Sequence, residues 1–89
     1  MKTQQLTIYT RPTCLDCQDL KLFLNENNVA YLLKEVATGS PEEEELIALT
    51  GNRIVPTLHF QPKGLFKKAQ LFTGFAANRQ AIIKLLTLD

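Results

Sequence analysis

The strand-like run Leu6-Thr7-Ile8-Tyr9 passes, through the turn residues Arg11-Pro12-Thr13, into a helical pattern headed by the chain's two cysteines, Cys14 and Cys17. A β-rich run that enters a helix across so short a turn places a Cys-x-x-Cys pair at a helix N-terminus. There, backbone N–H groups without intrahelical partners and the positive end of the helix dipole favour an anion. A thiolate at Cys14 is stabilised by both, and its pKa is expected below the free-thiol value of about 8.5. Cys14 is thus expected to act as a nucleophile near neutral pH.

At 89 residues, 45% of them hydrophobic, the chain has material for one core and not two, so a single domain over residues 1–89 is expected. Its net charge of +1, with acids and bases interspersed, offers no basic cluster to nucleic acid or to an anionic membrane. No apolar stretch approaches the length of a membrane-spanning helix, and Met1 to Gln5 lead into a strand pattern and not into the apolar segment of a secretion signal. A monomeric cytoplasmic protein is expected. A disulfide between two cysteines this close would close only a small loop, with little chain-entropy benefit. A structural zinc site needs about four Cys or His ligands, and beyond Cys14 and Cys17 the chain offers only His59. Redox chemistry is therefore the favoured reading, with no bound cofactor. Two alternatives use the same chain differently: an iron–sulfur or soft-metal module sharing these cysteines between chains, and a redox-inactive interaction domain.

The remaining pattern alternates. Cys17, Leu20, Phe23, Leu24 and Asn27 share one face of an amphipathic helix that ends at Asn27-Asn28. Val29-Ala30-Tyr31-Leu32-Leu33 is continuous enough in apolar character for a strand covered on both faces. Ser40, Pro41 and Glu43 form a helix start, with Ser40 as cap and Glu43 closing a capping box, while the acidic run Glu42–Glu45 reads as a solvated first turn. Leu46, Ile47 and Leu49 supply the apolar face, and Gly51 ends the helix. Thr57-Leu58-His59-Phe60 alternates as a strand, which leaves His59 on the surface face. Gln61-Pro62-Lys63-Gly64 is a turn, and Phe66 to Phe72 returns as an edge strand protected by Lys67 and Lys68. A last helix carries Phe75, Ile82, Ile83, Leu85 and Leu86 inward, with Asn78, Arg79, Gln80 and Lys84 toward water. The order β-α-β-α-β-β-α predicts an α/β fold with a mixed four-stranded sheet flanked by three helices.

Three segments carry a resemblance. Tyr9 to Cys17 resembles the strand, basic residue and Cys-x-x-Cys entry of the glutaredoxin family, within the thioredoxin-like superfamily. Thr50-Gly51-Asn52-Arg53-Ile54-Val55-Pro56 is similar to that family's approach to a cis-proline, and Thr73-Gly74-Phe75 to its glycine turn before the last helix. The resemblance implies a thioredoxin-like fold and dithiol–disulfide exchange. Cys14 would attack and Cys17 would resolve the mixed disulfide. The partners it implies are a protein disulfide, glutathione, or both, with glutathione or thioredoxin reductase and NADPH as the electron source.

Further positions follow from the same likeness. Arg11 would lower the Cys14 pKa and attract an anionic substrate, its plainer reading being a solvated turn residue. Pro56 would be cis and leave the Val55 backbone free to pair with an extended substrate. Gly74 would let the backbone approach closely, and the amides of Phe75, Ala76 and Ala77 would offer a docking place to a carboxylate. Phe75 would line a groove or anchor the last helix. Four departures stand out. Leu15-Asp16 replaces the Pro-Tyr of many glutaredoxins, and the Asp16 charge beside Cys14 opposes a thiolate while suiting the helix dipole. Ala76 and Ala77 replace the paired acids associated with glutathione's amino end. Finally, Thr73-Gly74-Phe75 looks more like the glutaredoxin-like electron donors of ribonucleotide reductase, and the hairpin from Phe60 to Phe72 is longer than usual.

Overall fold

The computed structural model describes residues 4–62 and 68–87. Four strands, β1 (Gln4–Thr10), β2 (Leu32–Glu35), β3 (Thr57–Pro62) and β4 (Gln70–Thr73), form one mixed sheet in the order β2-β1-β3-β4. β1 runs parallel to β2 and antiparallel to β3, and β3 pairs antiparallel with β4. The helices are α1 (Leu15–Glu26), α2 (Pro41–Thr50) and α3 (Arg79–Thr87), the last preceded by a 3₁₀ turn at Ala76–Asn78. This is the expected element order and the expected thioredoxin-like architecture.

Period-2 alternation divides β1 between two cores. Leu6 and Ile8 face α1 and α3 and are buried with Leu20, Leu24, Leu58, Phe60, Phe75 and Ile82. Tyr9 points the other way, into a smaller cluster with Val36 and with Leu46 of α2. Register sets the larger core: Leu6 stands opposite Phe60 and Ile8 opposite Leu58, and Leu58 in turn opposite Phe72. Phe60 and Phe72 meet edge-on, ring centroids 5.9 Å apart, a geometry the aromatic quadrupole favours.

α2 begins and ends as its sequence requires. The Ser40 hydroxyl accepts the Glu43 N–H at 3.1 Å, Pro41 occupies the first turn, and Gly51 closes the helix at φ +82°, its N–H donating to the Ile47 carbonyl at 2.7 Å. The capping box is not reciprocal, however. The Glu43 carboxylate accepts the Gly39 N–H, at 2.9 Å, instead of the Ser40 N–H.

Two expectations about strands are corrected. β2 begins at Leu32 and not Val29, because the Val29 N–H caps α1 by donating to the Leu24 carbonyl at 2.9 Å. It is also an edge strand, with Leu32 and Leu33 half exposed, and is not covered on both faces. The described part of β4 is short, Gln70–Thr73, with Lys68 exposed just before it. Gln61 and Pro62, expected in a turn, instead extend β3 and pair with Gln5 and Gln4 of β1, while the rest of that turn, Lys63-Gly64, and the expected strand start at Phe66-Lys67 lie outside the described residues. No helix among the described residues is long and apolar enough to cross a membrane.

Candidate active site

Cys14 is the N-cap of α1 in extended conformation (φ −96°, ψ 113°), and its sulfur accepts the Cys17 backbone N–H at 3.1 Å. A sulfur in the capping position thus takes the hydrogen bond that a Ser or Asp side chain would otherwise accept. The turn before it is fixed from within: the Cys14 N–H donates to the Arg11 carbonyl at 3.2 Å, and the Gln18 side-chain amide to the Pro12 carbonyl at 3.2 Å. Cys14 and Cys17 are joined as a disulfide, with Cα atoms 5.1 Å apart. The two sulfurs differ in access, since Cys14 is partly exposed and Cys17 fully buried. Among the described residues, no three His, Cys, Asp or Glu side chains gather as a metal-binding cluster.

The loop before β3 meets this cap. The Val55–Pro56 peptide is cis, as the resemblance implies. The Val55 carbonyl oxygen lies 3.9 Å from the Cys14 sulfur, and the Thr57 hydroxyl holds the loop by donating to the Ile54 carbonyl at 2.8 Å. Pro56 is buried, and its carbonyl accepts the Gly74 N–H at 2.7 Å. Gly74 adopts φ +93°, a backbone region open to glycine at little steric cost. Cys14, Val55, Pro56 and Gly74 therefore stand together, although they come from widely separated parts of the chain.

Asp16 is the least expected member of this group. Its carboxylate accepts the N–H of Phe75 at 2.8 Å and of Ala76 at 3.1 Å. The carboxylate docking place anticipated after Gly74 is thus occupied from within the chain. Phe75 itself is 2% exposed. Its ring packs on Phe23 at 5.3 Å, and the Arg79 guanidinium lies over both rings at 5.1 and 5.2 Å. Arg79 and Asn78 are thus engaged with the fold instead of merely facing water, since the Asn78 amide donates to the Thr73 and Gly74 carbonyls at 2.7 and 2.9 Å. A groove of about 340 Å³ runs between α1 and the start of the last helix, bordered by Asp16, Asp19, Phe75, Ala76 and Arg79 among others.

Arg11 does not stand as a free cation. Its guanidinium donates to the Glu43 carboxylate at 3.3 Å, and Arg53 approaches the same carboxylate at 3.6 Å. Glu43, expected in a solvated first turn, has a side chain only 8% exposed. It joins the residue three before Cys14 to the residue three before Pro56, and so ties the two loops of the site together. Sequence reasoning identified Glu43 only as a cap; the signal for more is that a basic residue precedes each loop at the same offset. The Gly39 N–H, chiefly, and the two arginines hold the Glu43 pKa below the ordinary carboxylate value against burial. A lowered native pKa stabilises the fold above the unfolded-chain value, and that contribution is lost as pH falls through the ordinary carboxylate range toward the native value. Glu43→Gln is expected to lower the urea midpoint at pH 7 and to flatten its fall below pH ~5. Parallel acid profiles for the two proteins contradict this role.

His59 faces the α2 side of the sheet, half-buried near Tyr9, Lys34 and Glu45. Burial lowers its pKa, and Glu45 opposes that shift. The Glu45 carboxylate is committed to Lys34 at 2.7 Å and to the Tyr9 hydroxyl. This cluster lies on the face opposite the α1 core and plays no part in the site around Cys14.

A family model described as Glutaredoxin matches residues 6–63, more than half of the chain. No curated protein matches the sequence. Solved structures share the fold at low identity. Thioredoxin f2 of Chlamydomonas reinhardtii is 18% identical with a TM-score of 0.58, over 99% of this chain and 80% of that one. A chloroplastic thioredoxin z is 20% identical with a TM-score of 0.58, over 99% and 81%. Thioredoxin O2 of Arabidopsis thaliana, in its oxidized state, is 17% identical with a TM-score of 0.51, over 94% and 76%.

Proposed function

The chain belongs to the glutaredoxin family of thiol–disulfide oxidoreductases, and from that premise we propose that it reduces protein or glutathione mixed disulfides by a dithiol route. The Cys14 thiolate attacks a substrate disulfide sulfur; a new S–S bond forms as the substrate's own breaks, and one substrate sulfur leaves and takes up a proton. The Cys17 thiol then loses its proton and attacks the Cys14 sulfur, expelling the second substrate sulfur. The substrate gains two electrons and two protons, and the Cys14–Cys17 bridge holds the oxidation.

The observation that carries this reading is the unequal access of the two sulfurs. A substrate meets the partly exposed Cys14, while the buried Cys17 reaches only the sulfur beside it. Val55, next to the Cys14 sulfur, supplies backbone groups for an extended substrate strand. Pro56 and Gly74 hold that edge in place, Phe75 fixes the turn beside it, and Arg11 sets the loop before Cys14. The cytoplasm, where thiols are kept reduced, suits such a cycle. It closes through an external donor, glutathione or thioredoxin reductase with NADPH.

The donor assay tests this directly. Oxidised protein is offered glutathione in one reaction and thioredoxin reductase with NADPH in another, and the thiols of Cys14 and Cys17 are counted with time. At least one donor is expected to open the bridge at neutral pH. A bridge that survives both contradicts the proposed cycle.

A further inference from the structure

The side chain of Asp16 reaches across 59 positions of sequence to two consecutive backbone amides, at Phe75 and Ala76. Asp16 stands between the two cysteines, so those amides lie within one side chain's reach of the helix turn that carries both sulfurs. Two N–H groups converging on one carboxylate make a charge-assisted pair. The turn presenting them is held by the Asn78 side chain, and Asp16, Phe75 and Ala76 border the groove that also contains Arg79. A thiol with a carboxylate a few bonds from its sulfur could set the sulfur at Cys14 and the carboxylate on these amides, except that Asp16 is already there.

We propose that Asp16 is a specificity-determining residue, an internal carboxylate that closes this amide pair to small carboxylate-bearing thiols and biases the chain toward protein disulfides. The inference rests on the disulfide-exchange reading above and deepens it. A protein substrate engages through an extended strand at Val55 and needs nothing from the Phe75 and Ala76 amides. Glutathione, which carries two carboxylates, gains nothing from them while Asp16 stays bound. Ala76 and Ala77 add no acidic group for an ammonium at this turn.

The test compares glutathione with its diethyl ester as reductants of the oxidised protein. In each case one thiolate bonds to the Cys14 sulfur as the Cys14–Cys17 bond breaks, its electron pair leaving on Cys17, which takes up a proton. A second thiol then displaces Cys14 and forms the reductant's own disulfide, so two thiols are oxidised and the bridge gains two electrons. The ratio of the two rate constants, acid over ester, removes differences in thiol reactivity between protein variants.

Asp16→Ala is expected to raise that ratio on the order of tenfold over the unaltered protein, the size of one or two charge-assisted hydrogen bonds released to a ligand. Asp16→Asn, which keeps an acceptor oxygen for the amides, is expected to raise it less. It carries the test alone should the alanine variant fail to fold. An unchanged ratio in whichever variant folds, or equal rises in both variants (the signature of lost charge alone), overturns the inference while leaving disulfide exchange intact. A bridge that resists both thiols in every variant overturns the inference, and the functional reading falls with it where thioredoxin reductase with NADPH leaves the bridge closed too.

Discussion

Cys14→Ser is expected to bring disulfide reduction down to the rate of free thiols in solution, whereas Cys17→Ser stops the cycle one step later, with the partner held covalently on Cys14. The difference follows from position. Cys14 is the partly exposed N-cap whose sulfur receives the Cys17 N–H, and it lies beside the Val55 carbonyl where a substrate strand would enter. Cys17 is fully buried one helical turn on, where no substrate reaches it before the mixed disulfide has formed. Serine keeps the shape and much of the hydrogen bonding of either site but is a far weaker nucleophile at neutral pH. Incubation with a protein disulfide, followed by non-reducing electrophoresis and mass analysis, should show a 1:1 adduct for Cys17→Ser and none for Cys14→Ser. Equal trapping by both variants refutes the assignment of roles.

Phe60→Ala is expected to have the largest effect on stability. Phe60 is 1% exposed at the centre of the larger core, paired in register with Leu6 and edge-on against Phe72. Removing a buried aromatic ring costs about 3–5 kcal/mol in lost transfer energy and residual cavity. A chain of 89 residues has only ~4–13 kcal/mol of net stability at typical per-residue values. The variant should therefore be substantially unfolded at 37 °C, or have a urea midpoint reduced by a large fraction. The site should fail with the fold, because Phe60 shares its core with Leu20 and Leu24 of α1, the helix that Cys14 caps. A midpoint within error of the unaltered protein contradicts this placement of the core.

Much of this arrangement was legible in the sequence because it is local. A Cys-x-x-Cys pair at a strand-to-helix turn, a Ser-Pro helix start and a glycine C-cap are decided within a few residues, and each stands where expected. β2 departs from expectation because an apolar run does not reveal which strand will lie at the edge of a sheet; Leu32 and Leu33 remain half exposed there. Glu43 is buried against expectation because nothing local shows that Arg11 and Arg53 converge on it from two loops. Asp16 is the sharper case. Its carboxylate and the amides after Gly74 were both visible as chemistry, but only the tertiary fold brings them together. By sequence position alone, the Asp16 charge opposes the Cys14 thiolate. The structure shows that charge engaged by two N–H donors, which offsets part of its field at the sulfur.

Ionisation of Cys14 at neutral pH, supported by the Cys17 N–H and the dipole of α1, is the claim on which the mechanism depends. The direct measurement is the rate of Cys14 alkylation by neutral iodoacetamide in the reduced protein, resolved by peptide mapping and followed across pH. The rate is predicted to reach half its plateau below the free-thiol value of about 8.5, with Cys17 reacting far more slowly. A Cys14 rate that is negligible at neutral pH and still climbing beyond that value contradicts the account.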